Sequence, residues 1–196
     1  MCGAGDCRLS SILMDFTILE AQVDMRRGYF SGAPGILASA LAWSVAACIA
    51  VFVSPQMAIL ALLVGGMLIH PVGLLFCKML GAQGSHSKGN PLGELAGAST
   101  FWLIFSLPLA YGLGLQNAGW FFLAMLLVIG GRYLVFGTLY GMRLYWGLGL
   151  ALAAAGFALG PMLVPASVGV IVGAVLETVF GVICLVMHRR WVTLGS

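Results

Sequence analysis

The sequence predicts an all-α integral membrane protein: six transmembrane helices folded as three hairpins, preceded by a cytoplasmic amphipathic helix. Three observations predict it. Of 196 residues, 61% are hydrophobic and only 8% are charged, with a mean hydropathy of +1.07, whereas soluble chains carry roughly 25% charged residues. Six apolar stretches approach the ~20 residues that a spanning helix needs. The basic residues fall almost entirely into one set of connections. This composition excludes a soluble enzyme, a secreted disulfide scaffold and a disordered regulator.

Taken in order, residues 1–30 read as a cytoplasmic N-terminal segment. Leu9, Ile12, Leu13, Phe16, Leu19 and Val23 recur at three- and four-residue intervals, which predicts an amphipathic helix over 9–27. Ser10 or Ser11 would cap it. Its acidic residues, Asp15, Glu20 and Asp24, disfavour an anionic lipid surface and favour docking on the protein's own cytoplasmic face. Those acids also rule out a signal-peptide core.

The membrane domain, 31–190, holds spans at about 34–53, 57–77, 94–115, 119–140, 144–164 and 168–187, with 191–196 as a cytoplasmic tail. The turns after the first, third and fifth spans are Ser54-Pro55-Gln56, Gln116-Asn117-Ala118 and Pro165-Ala166-Ser167, all uncharged. Arg8, Arg26, Arg27, Lys78, Lys88, Arg143, Arg189 and Arg190 lie on the opposite side. By the positive-inside rule both termini are cytoplasmic. Tyr29, Tyr140, Tyr145 and Trp191 fit an interfacial aromatic belt. Val64-Gly65-Gly66, Ile129-Gly130-Gly131 and Val172-Gly173-Ala174 recur in the even spans. This reads either as a repeated two-helix unit or as shared glycine-rich composition. Small-xxx-small pairs such as Gly169/Gly173 suit intramolecular packing first and a homo-oligomer second.

Polar groups in hydrocarbon mark the candidate site, because a central charge costs roughly 2.5–3.5 kcal/mol on insertion scales. His70 precedes Pro71 in the second span. Arg132 lies in the fourth, about 12 Å from its cytoplasmic end. Glu177 lies near the middle of the sixth. All three follow a Gly-Gly or Gly-Ala pair on an even span, which predicts a shared ligand-binding site, with Glu94 at the head of the third span as a further member. Arg132 would select an anion, Glu177 would pair with it or take a proton, and His70 would titrate near neutral pH. Pro71 and Pro108 would kink their helices and free carbonyls. A structural ion pair between Arg132 and Glu177 explains the same residues without a ligand.

The pattern holds no zinc spacing, no bis-histidine haem pair, no lysine within a span and no hydrolase motif. No cofactor or metal is expected, and an enzyme is the less favoured class. With no basic run longer than two residues, nucleic acid is not an expected partner. The expected partners are the lipid bilayer, a small anionic ligand or lipid headgroup, and a second copy. The functional expectation is a small transporter or channel-like protein for a small anion, lipid headgroup or proton. The alternative is a non-transporting module that binds a partner protein or lipid through its N-terminal helix and glycine-rich faces.

The strings MRRGYFSGAPGILASALAW (Met25 to Trp43), GGMLIHPVG (Gly65 to Gly73), GNPLGELAGASTFWLIFSLPLAY (Gly89 to Tyr111) and YGMRLYWGLG (Tyr140 to Gly149) resemble a bacterial family of small multi-spanning membrane proteins of unknown function. The resemblance covers most of the chain after Met25. It implies a shared fold and a bacterial origin, and assigns no residue a role. The six-span plan is also similar to that of small bacterial acid-stress membrane proteins, a likeness of architecture without matching motifs.

Overall fold

The computed structural model describes residues 17–162 and 164–194. Among them are seven α-helices and no strand: α1 (Ile18–Gly28), α2 (Ala33–Phe52), α3 (Pro55–Met79), α4 (Pro91–Gln116), α5 (Ala118–Tyr140), α6 (Arg143–Leu159) and α7 (Ala166–Leu194). Helices α2 to α7 are each long and apolar enough to cross a membrane.

Turn chemistry fixes where these helices begin and end. Ser54 accepts the Met57 N–H at 3.2 Å, with Pro55 opening α3. Asn90 accepts the Leu92 N–H at 3.0 Å with Pro91 opening α4, and Asn117 accepts the Gly119 N–H at 2.8 Å to start α5. Each supplies an acceptor to an otherwise orphaned N–H. Gly141, with φ 57°, ends α5 in the left-handed conformation. Helix α6 stops at Leu159 rather than 164, because Pro161 has no N–H to extend the ladder. Helix α7 runs on to Leu194, beyond the predicted span end at 187, so His188 and Trp191 are helical.

The three hairpins are not packed alike. Helix α2 lies between α3 and α7, and α5 lies between α4 and α6. Helix α6 packs far more on α5 than on its hairpin partner α7. This leaves α3 and α4 as the outer helices, and Trp43, Phe121, Phe122, Leu126, Leu148 and Leu152 in the core. Glycine allows the closest crossings. A Cβ on Gly130 would sit 2.8 Å from the Gly149 carbonyl oxygen, and one on Gly149 2.7 Å from that of Gly130. The α5 and α6 backbones therefore touch, which gains dispersion contact in a lipid setting that offers no hydrophobic drive. Gly173 is the seat of the Trp43 indole, 2.7 Å from where a Cβ would stand.

The N-terminal helix departs from expectation. Thr17 is extended and forms a capping box with Glu20, so α1 starts at Ile18. Leu9, Ile12, Leu13, Phe16, Ser10 and Ser11 lie outside the described residues. The buried face is Ala21, Met25 and Gly28, whereas Leu19 of the predicted stripe is exposed. At Gly28 the face meets backbone, and a Cβ there would run into the Ser85 carbonyl, whereas Met25 has room to bury its side chain.

Polar contacts complete this docking. Gln22 donates to the Thr138 carbonyl at 2.8 Å, and Arg26 donates to the carbonyls of Tyr140 and Gly141. Asp24 accepts from the Ser87 N–H at 2.9 Å, the Ser87 hydroxyl at 2.8 Å and the Asn90 amide at 2.8 Å. Burial would raise the Asp24 pKa, but the hydrogen bonds from Asn90 and Ser87, with the His86 charge, outweigh it and hold the carboxyl below its ordinary value. A depressed folded pKa gives stability that is present above the unfolded value of about 3.9 and is lost as pH falls through the folded one. Thermal unfolding followed from neutral to acid pH should therefore weaken on that limb, and Asp24→Asn should flatten it.

Candidate functional site

Among the described residues, one Asp, Glu, Lys or Arg side chain is wholly buried. Glu177 on α7 is 0% exposed. Its Oε1 accepts from the Tyr133 hydroxyl of α5 at 3.2 Å, while Oε2 is buried without a close partner. Two donors are in the same condition: the Trp43 indole Nε1 on α2 and the Arg132 Nε on α5. Trp43 lies on Gly173, one turn before Glu177, and Ser39, one turn before Trp43, stands beside the carboxyl. Three helices thus converge on one carboxyl. Ser39 and Trp43 face the carboxyl as longer hydrogen-bond donors, so Oε2 and the Trp43 indole are loosely paired rather than independent orphans; a buried polar group left fully unpaired would cost about 1–3 kcal/mol.

A polar path leads from this cluster to the end of the bundle that carries α1. Tyr133 stacks on Tyr145 of α6, with ring centroids 6.1 Å apart. The Tyr145 hydroxyl donates to the Ser31 carbonyl at 2.7 Å. The Ser31 hydroxyl meets His188 Nδ1 at 2.7 Å, and Cys184 Sγ lies 3.5 Å from the same Ser31 carbonyl. Ser31 is buried, yet it also lines a cavity of about 270 Å³ that opens at this end. Phe30 and Ser31 both adopt positive φ, 53° and 55°, directly before Gly32 at 82°. Two consecutive non-glycine residues in that region store roughly 1–3 kcal/mol each. The Tyr145, Cys184 and His188 contacts hold Ser31 there.

The residues picked out by sequence separate into two groups. Arg132 and Glu177 lie on packed neighbouring helices and feel one another's charge, but they form no ion pair. Arg132 donates instead to Thr100 of α4 at 3.1 Å, with its guanidinium 5.2 Å from the Phe136 ring. His70 does not join them: it is exposed on the outer helix α3, and the same is true of Glu94 at the head of α4. Pro71 and Pro108 are exposed too, and α3 and α4 run through them as continuous helices. Tyr140 and Tyr145 are interior residues rather than a belt, at 6% and 0% exposure.

Sequence reasoning missed Ser31, Ser39, Trp43, Tyr133 and the interior place of His188. The recoverable signal was Ser39 and Trp43, polar groups four residues apart on one face of an otherwise apolar span. Among the described residues, no three His, Cys, Asp or Glu side chains stand close enough to hold a metal. Cys48, Cys77 and Cys184 are free thiols, and Cys2 and Cys7 lie outside the described residues.

No curated protein and no solved structure matches the chain. A family model does match, over residues 18–188, which includes every described residue of the cluster and its path. The chain therefore belongs to that family, a family of unknown function (DUF7010).

Proposed function

We propose that this chain is a proton transporter of a bacterial cytoplasmic membrane, with both termini in the cytoplasm and Glu177 as the proton-carrying group. The observation that carries this reading is the buried Glu177 carboxyl with one oxygen lacking a close partner, and the polar groups of Tyr133, Tyr145, Ser31 and His188 that lie between it and a cavity at the basic end. Hydroxyls and imidazole both donate and accept, so Tyr133, Tyr145, the Ser31 hydroxyl and His188 are each suited to pass a proton; between the stacked Tyr133 and Tyr145, and past the Ser31 carbonyl, transfer requires a bridging water. Arg132 lies near enough to bias the carboxyl's charge, and Thr100 holds it. On the far side of Glu177 the core is apolar, formed by Phe121, Phe122 and Val170. That asymmetry favours a transporter, which must part its helices to release the proton, over an open channel.

The test is proton flux into proteoliposomes under an imposed pH gradient and a clamped potential. Wild-type vesicles should collapse the gradient faster than protein-free vesicles. Tyr145→Phe, which loses the hydroxyl's contacts with the Ser31 carbonyl and Cys184, should slow collapse severalfold; Cys184 still contacts that carbonyl, which protects the fold. Wild-type vesicles as tight as empty ones would sink the reading. The remaining reading would then be the non-transporting module. It draws on Ile18 and Leu19, exposed on α1 at 73% and 69%.

A further inference from the structure

The cavity at the basic end has a second property that proton movement does not use. Its walls carry two guanidinium groups, Arg26 and Arg143, and no acidic side chain. We infer that it is a binding site for a phosphate group, best supplied by the headgroup of an anionic phospholipid.

Each part of the wall has a use for such a ligand. Arg26 is fixed: it donates to the Tyr140 and Gly141 carbonyls and stands 5.8 Å from the Trp191 ring. Those bonds occupy two of its five N–H groups. Burial lowers its pKa, but a guanidinium stays protonated at neutral pH. Arg143 is exposed and has no hydrogen-bond partner among the described residues. It opens α6, whose first N–H groups have no side-chain cap, and it lines the cavity together with Leu144. A preorganised arginine, a free arginine and uncapped N–H groups around one concavity match the oxygens of a phosphate.

The apolar remainder argues for the lipid source. Leu144, Met187 and Trp191 line the same cavity, which lies where α5, α6 and α7 leave the apolar zone. Arginine and tryptophan at that depth are the usual partners of anionic headgroups and the first acyl carbons. The site stands on these residues alone and does not depend on whether Glu177 carries protons.

Native mass spectrometry of the detergent-purified full chain tests it, with phosphatidylglycerol, phosphatidylcholine and inorganic phosphate as probes. One phosphatidylglycerol should be retained per wild-type chain, with phosphatidylcholine retained less. Arg143→Gln should lower the bound fraction by about tenfold or more, as expected for loss of one charge-assisted contact. Arg143 bonds no other described side chain, so circular dichroism should be unchanged. The exposed pair Arg189→Gln and Arg190→Gln is the control, and should keep the lipid. Displacement of the lipid by millimolar inorganic phosphate assigns the same site to the soluble anion. Equal lipid retention by Arg143→Gln overturns the proposal, as does an equal loss in the control, which would reduce the effect to general attraction by the basic end.

Discussion

Glu177→Gln should reduce proton flux to the level of empty vesicles while leaving thermal stability within about 1 kcal/mol of wild type. The amide keeps an oxygen to accept from Tyr133, so the closest hydrogen bond that Glu177 makes survives. What the amide cannot do is take up and release a proton. Loss of flux without loss of fold is the signature of a carrier, whereas a purely structural carboxyl would show its loss in stability. A second variant separates the two further. Removing one member of a buried polar pair leaves the other unsatisfied, whereas replacing both with apolar groups of like shape is close to neutral. The double variant Glu177→Leu with Tyr133→Phe also eliminates the loosely paired Oε2. It should melt at or above the wild-type temperature and conduct nothing. Wild-type flux in Glu177→Gln would remove the carrier role. Unfolding of the double variant would show that the pair holds the bundle together.

Much of the fold was legible because the bilayer imposes length and charge rules that act locally. Apolar runs located all six spans, and Ser54 and Asn117 already stood in the turns where they serve as caps. The docking face of α1 was not legible. Hydrophobic periodicity ranks Leu19 and Val23 above Ala21 and Gly28, yet close approach to the Ser85 carbonyl requires the glycine at 28. Scarcity of charge correctly drew attention to Arg132 and Glu177. It could not show that their partners are neutral, Thr100 for one and Tyr133 for the other. Nor could it show that His70 stands on the outer face of α3. Tyr145 was misread for a related reason. An aromatic near a span end suits the interface, but its hydroxyl finds the carbonyl of Ser31, 114 positions away. Pairings at that separation depend on how helices pack, and no local pattern records them.

That same tyrosine makes Gly32 the position where the smallest change should do the most damage. Gly32 has φ 82°, and a Cβ there would collide with the Tyr145 hydroxyl and stand 2.7 Å from the Tyr140 ring. Gly32→Ala therefore meets a left-handed backbone penalty of about 1–2 kcal/mol. It adds an overpacking penalty of about 1–3 kcal/mol. For a chain of this size the melting temperature should fall by on the order of 10 °C. Gly141→Ala is the informative comparison. Its φ of 57° is also left-handed, but its Cβ would meet the side chain of Gln22, which can swing away. It should be the milder variant by roughly the overpacking difference. Combining Gly32→Ala with Tyr145→Phe removes the colliding hydroxyl, so part of the lost stability should return, a coupling of at least about 0.5 kcal/mol. Flux should not return, because the contact between Tyr145 and Ser31 that carries the path is gone. Equal melting temperatures for the two glycine variants would mean that backbone conformation alone sets the cost, and that Tyr145 does not bear on Gly32. Recovery of flux in the combined variant would mean that protons reach Glu177 by another way.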